Sequence, residues 1–138
     1  MDARKLARLC VELAENRKAE NPLVLDVRKL TSVASFFVML TGSSDPHLRA
    51  IRDEIIDRLR EDHGLTPRSI DGELRSSWVV LDYSDVIVHI MLRETRERFD
   101  LESLWGDAPR VRKAKKSAST DRPKKRIPKT LSSPTSEG

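Results

Sequence analysis

The chain has 138 residues, a formal net charge of +4 and a single cysteine, Cys10. That length suffices for one small domain with an extension, and one cysteine excludes both an internal disulfide and a metal centre built on several thiolates. No apolar run approaches the ~18 residues a membrane span needs, and the amphipathic N-terminus carries Asp2, Glu12 and Glu15, which argue against a secretory signal or a mitochondrial presequence and fit a cytoplasmic protein.

The charge is unevenly spread. Residues 112–138 hold nine Lys/Arg against two Asp/Glu, a net of +7, while residues 1–111 hold seventeen against twenty, a net of −3. The basic segment has three of the seven prolines and only four residues from the apolar set. It cannot bury enough surface to offset the entropy of ordering, so a domain over 1–111 followed by a disordered basic tail over 112–138 is expected. Such a tail can neutralise RNA phosphates without reading sequence, or merely keep the chain soluble.

Leu6, Leu9, Cys10 and Leu13 fall at i, i+3, i+4 and i+7, predicting an amphipathic helix of roughly fifteen residues that Asn21-Pro22 ends. Residues 23–28 (LVLDVR) and 35–41 (SFFVMLT) read as strands, the second stopped by Gly42. The stretch TGSSDPH, 41–47, invites a phosphate-loop reading, but there is no second Gly-rich element and no Lys-Ser/Thr. A helix start explains it better: Ser44 or Asp45 caps, Pro46 suits the first turn, and Leu48, Ile51, Ile55 and Leu59 form the apolar stripe. His47 reads as a surface histidine, and Gly64 as the C-terminal stop. A short strand near 67–71, a loop GELRS and two further strands follow. Asp100 then reads as the cap of a short helix with Leu101, Leu104 and Trp105 on one face. The order predicts an α/β domain with a mixed sheet of about five strands and helices packed on it.

The segment SSWVVLDYSDVIVHI, 76–90, carries the most chemistry. A two-residue turn at Tyr83-Ser84 pairs Asp82 with Asp85, Val80 with Ile87 and Trp78 with His89. Val79, Leu81, Val86, Val88 and Ile90 then share an aliphatic core face. Trp78, Val80, Asp82, Asp85, Ile87, His89 and Met91 share the other, whose mixture resembles a protein-binding hot spot. The plainer alternative packs Trp78 under a helix beside a half-buried histidine. A metal site is disfavoured, because strand spacing leaves His89 about 13 Å beyond Asp85. A nucleotidyltransferase site needs two alternating carboxylates on the strand after a Gly-Ser turn, and Gly42-Ser43 is followed by a helix. No G-x-S-x-G elbow is present. Catalysis and a cofactor are therefore not expected. A metal- or nucleotide-dependent enzyme, and an RNA binder led by its tail, stand as the alternatives.

Several segments resemble, in order, the ribosomal silencing factor (RsfS or Iojap-related) family. They are Asp26-Val27-Arg28, the run Phe36 to Ser44 with His47 after it, Gly72-Glu73, Trp78 to Tyr83, Asp85 to His89, and Leu101 to Trp105. Together they cover about residues 5–107. The resemblance implies a non-enzymatic α/β protein with a sheet related to that of nucleotidyltransferases but without its carboxylates. It also implies binding to the large ribosomal subunit at its protein fourteen, which sterically blocks joining of the small subunit and represses translation when nutrients are short. On that expectation Trp78 is the central anchor, Val80, Ile87 and Met91 surround it, and Asp82, Tyr83, Asp85 and His89 add polar contacts. The tail 112–138 could touch rRNA, and an exposed sheet edge could pair two copies. The chain departs from the family at Ser84, usually Gly, and at Phe99-Asp100, often Tyr.

Overall fold

The computed structural model describes residues 1–71, 77–100, 103, 106 and 108–111. The expectations for the GELRS loop, for Leu101, Leu104 and Trp105, and for the tail 112–138 lie outside these residues.

Helix α1 spans Ala3–Glu15, with the Asp2 carboxylate accepting from the Lys5 N–H at 2.7 Å as its N-cap. It stops before Asn21-Pro22: Asn16 caps it, and Lys18 takes a left-handed φ of 62° that turns the chain. Asn21 and Pro22 instead sit inside strand β1, Glu20–Asp26. They are tolerated there because the register with the neighbouring strand shifts between Glu20 and Leu23, a bulge that spares the proline a ladder hydrogen bond. Strand β2, Phe36–Gly42, is buried at every residue, as a central strand covered on both faces must be. Helix α2, Asp45–His63, starts on Ser44, whose hydroxyl accepts from the His47 N–H at 3.2 Å, and ends on Gly64 in the left-handed region (φ 66°), as the sequence predicts. Gly42 is obligatory for a different reason: an added Cβ would come within 2.7 Å of Leu48, so the glycine lets α2 close onto the strand.

Strands β3, Ser69–Asp71, β4, Trp78–Asp82, and β5, Val86–Leu92, complete one five-stranded sheet in the order β1-β2-β5-β4-β3. The β2–β5 pair is parallel and the others antiparallel. Residues 109–111 line the outer side of β1: the Asp26 N–H donates to the Pro109 carbonyl at 2.8 Å, and the Val111 N–H to the Val24 carbonyl at 2.8 Å. A third helix, α3, spans Arg93–Phe99 and follows β5 without a break. It begins seven residues before the short helix expected at Asp100. Asp100 itself is its left-handed C-cap (φ 46°), not an N-cap.

Alternation along the strands divides the core in two. On one face Leu6, Cys10 and Leu13 of α1 and Leu48, Ile51, Ile55 and Leu59 of α2 pack against Phe36, Val38, Leu40, Val79, Leu81, Val86, Val88 and Ile90. On the other a smaller cluster gathers Leu25, Val27, Ala34, Phe37, Met39, Met91 and Ala108, with Leu23, Trp78 and Ile87 partly buried against it.

Candidate docking surface

The β4–β5 hairpin turns one residue later than the Tyr83-Ser84 expectation. Tyr83 pairs with Val86 through a 2.9 Å hydrogen bond, so Ser84 and Asp85 form the two-residue loop. Ser84 has φ 73°, which explains why glycine would suit that position. Its N–H is held by the Asp82 carboxylate at 2.7 Å, a local bond that makes serine acceptable there. The register therefore moves by two: Trp78 faces Met91, Val80 faces His89 and Asp82 faces Ile87. A shift of two keeps each side chain on its face, so the separation of the aliphatic face from the mixed one stands. The predicted Asp82–Asp85 opposition does not occur.

On the mixed face Trp78 and His89 are diagonal neighbours. The indole Nε1–H donates to His89 Nδ1 at 3.2 Å, and the ring centroids lie 5.9 Å apart. The edge of Phe37 meets the same imidazole at 5.3 Å. Because Nδ1 accepts from the indole, the neutral ring carries its proton on Nε2. That nitrogen is buried without a hydrogen-bond partner. Burial pushes the His89 pKa down to about 4, so the imidazole is uncharged at neutral pH. Phe99, at the end of α3, completes the group: its ring is 5.1 Å from Trp78 and 52 % exposed. The sequence reading treated Phe99 only as a departure from a family pattern. Its exposure beside Trp78 depends on α3, which strand and turn signals did not reveal.

The remaining candidates separate. Val80 and Ile87 are half-buried on this face. Met91, expected on the mixed surface, is wholly buried under the second cluster. Tyr83 is also buried, among the residues that α1 covers; its hydroxyl has no hydrogen-bond partner, and desolvation, aided by the nearby Cys10, raises its pKa. Neither side chain reaches the surface. For Asp82, burial opposes ionisation, but the Arg68 guanidinium at 2.8 Å and the Ser84 N–H outweigh it and hold the carboxyl below its usual range. Asp85 is exposed at the turn, and its carbonyl accepts from the Ser35 and Phe36 N–H groups. Among the described residues no three His, Cys, Asp or Glu side chains converge as metal ligands would.

Beside Ile87, the connection from Val27 to Ser35 buries Val27 and Ala34 against Phe37. It leaves Leu30 (44 %) and Val33 (65 %) in solvent. The half-buried Trp78–Val80–Ile87 strip is thus flanked by three exposed apolar side chains, Leu30, Val33 and Phe99. Asp71, opposite Val80 on the neighbouring strand, adds an exposed carboxylate.

Two other sequence candidates have structural work. Asp26 receives two guanidinium hydrogen bonds from Arg28, at 2.9 and 2.7 Å, which hold its carboxyl below the usual range against the opposing effect of burial. The guanidinium groups of Arg28 and Arg4 lie 5.2 and 5.4 Å from the Phe36 ring centroid. His47 is a tie between elements. Its Nδ1 accepts from the Ser43 N–H at 2.8 Å, and its Nε2–H donates to the Arg17 carbonyl at 2.6 Å, joining the end of α1 to the start of α2.

Comparison with known proteins adds to this geometry. The family model described as "Ribosomal silencing factor during starvation" matches residues 1–136. The ribosomal silencing factor RsfS of Bacillus subtilis is 33 % identical over 109 residues, covering 79 % of this chain and 92 % of that protein. A mouse protein named "Mitochondrial assembly of ribosomal large subunit protein 1" is 29 % identical over 102 residues, 70 % of this chain and 43 % of its own length. A crystal structure of a protein from Chromobacterium violaceum superposes with a TM-score of 0.73 at 32 % identity, covering 77 % of this chain and 88 % of that one.

Proposed function

The chain belongs to the ribosomal silencing factor family, and we propose that it docks on the large ribosomal subunit through the Trp78 face and keeps the small subunit from joining. The partner in this proposal is large-subunit protein fourteen, and the outcome is repression of translation when nutrients are short. One observation carries the choice of surface. Trp78, Phe99, Leu30 and Val33 form an apolar strip on the sheet face opposite α1 and α2, rimmed by Asp71, Asp82 and Asp85. Aromatic and aliphatic anchors inside a polar rim are the usual anatomy of a protein interface, and carboxylates suit a basic ribosomal protein. In this arrangement the Trp78–His89 bond fixes the indole before binding, so little side-chain entropy is lost on docking. The name of the mouse relative, which speaks of large-subunit assembly, supports the choice of subunit.

The mechanism is steric and asks nothing of catalysis. In this reading residues 1–111 form the docking domain, and the basic segment 112–138 contributes a salt-sensitive contact to rRNA. The test is co-sedimentation of the full chain with isolated large and small subunits, wild type beside Trp78→Ala and Val33→Asp. Co-migration with the large subunit alone, weakened in both variants, is the expected result. Co-migration with neither subunit overturns the function. Undiminished binding by both variants keeps the function and moves the surface elsewhere.

A further inference from the structure

A cleft of about 500 Å³ opens where the start of β1, the end of β2 and α3 meet, at the opposite end of the sheet from the β4–β5 turn. Its lining brings together three arginines from two parts of the chain: Arg93 and Arg96 from one side of α3, and Arg110 from the segment laced to β1. We propose that this cleft seats a phosphate of structured RNA.

The arginines are held in place before any ligand arrives. Arg96 is buried, and its Nη1 donates to the Asn21 carbonyl at 2.7 Å and to Thr41 Oγ1 at 2.8 Å. The bulge that carries Asn21 at a φ of 47° presents that carbonyl to it. Arg93 is steadied by Glu20 at 2.6 Å. Arg110 is fixed through its backbone, which bridges to Leu25, and it has no carboxylate partner among the described residues. A guanidinium so placed matches the geometry of a phosphate oxygen pair and gives up little freedom on binding one.

Two carboxylates temper the cleft. Asp100 already accepts from Ser103 Oγ at 2.7 Å. Glu97 stands exposed at the rim, one turn along α3 from Arg93. The cleft is therefore a site for a single phosphate group rather than a deep polyanion channel. Choosing RNA as its source rests on the ribosomal docking reading, since phosphate is the abundant anion of a ribosome; the phosphate chemistry itself does not. This contact belongs to the folded domain and is separate from any made by the basic tail.

The test is fluorescence anisotropy of a labelled RNA hairpin titrated with the full chain across a range of salt. Arg93 and Arg110 are exposed, so the Arg93→Gln/Arg110→Gln double variant leaves the core intact, and a thermal melt verifies this. The expected result is ~10-fold weaker binding, with a log–log salt slope shallower by roughly one to two. Glu97→Gln, which removes a like charge from the rim, is expected to tighten binding by about two- to threefold. A double variant with wild-type affinity and slope overturns the proposal and leaves RNA binding to the tail. Because the hairpin contains no ribosomal protein, Trp78→Ala should bind it as wild type does. Failure here is thus distinguishable from failure of subunit docking.

Discussion

The two faces of the sheet are built from the same strands and have been used differently. Towards α1 and α2, each strand contributes aliphatic residues that are almost wholly buried, and two helices seal them. Towards the other side, the alternate residues of those strands form a core of seven buried residues bordered by half-buried Trp78 and Ile87 and by exposed Leu30, Val33 and Phe99. Burial on the first face supplies stability; incomplete burial on the second leaves apolar surface for a partner. Period-two alternation lets one strand do both without compromise.

The comparison breaks most directly at Ile55, which is fully buried under α2. Ile55→Ala should cost about 3–4 kcal/mol in a denaturant melt, with any loss of ribosome binding following only from unfolding. Trp78→Ala should reverse that ranking: about 2–4 kcal/mol of binding free energy, a loss of roughly 30- to 1000-fold, exceeding its effect on stability. A Trp78 variant whose stability loss exceeds its binding loss would assign the second face to the core as well.

His89 sharpens the contrast through pH. Its folded-state pKa of about 4 lies below the ordinary 6.5, because burial disfavours the charged ring. The unfolded chain takes up the proton more readily. The stability derived from the neutral ring is therefore complete above about pH 6.5 and is lost as pH falls from there towards 4, by roughly 2–3 kcal/mol. Melts of His89→Phe should show a shallower decline over that interval; an identical decline would place the acid sensitivity on other groups. The smallest effect is expected at Val33. Val33→Ser should move stability by less than about 0.5 kcal/mol and weaken subunit binding a few-fold. Cys10, on the sealed face, has its thiol pKa pushed up to about 12 by burial, so it should react with a thiol reagent only at the rate at which the protein opens.

Much of this architecture was legible in the chain. The stripe from Leu48 to Leu59, the Ser44 cap and the Gly64 stop define α2 through local chemistry alone, and local chemistry is what a sequence displays. The division of β4 and β5 into two faces was legible for the same reason, and it survived a hairpin register wrong by two. The turn was misplaced because Ser84 is not a residue whose preference announces a left-handed φ; the Asp82 carboxylate that stabilises it is visible only in three dimensions. Met91 and Tyr83 were assigned to the surface because nothing local shows that the Val27–Ser35 connection, residues near Ala108 or α1 covers them. Helix α3 was missed because RETRERF has no apolar stripe. It is anchored by the long-range bonds of Arg96 to Asn21 and Thr41 and of Arg93 to Glu20.

The parallel pairing of β2 with β5 has a consequence for how the chain is made. β2 is the most thoroughly buried strand, yet its neighbour arrives only after α2, β3 and β4 have been synthesised. Until residue 92 leaves the ribosome, one edge of Phe36–Gly42 is unpaired, and it is flanked by aliphatic side chains that later vanish into two cores. A nascent chain halted in that interval would present an open apolar strand edge, the kind that recruits other strands. A premature stop within α2 should accordingly give an insoluble fragment, whereas one after Val111 removes only the basic segment.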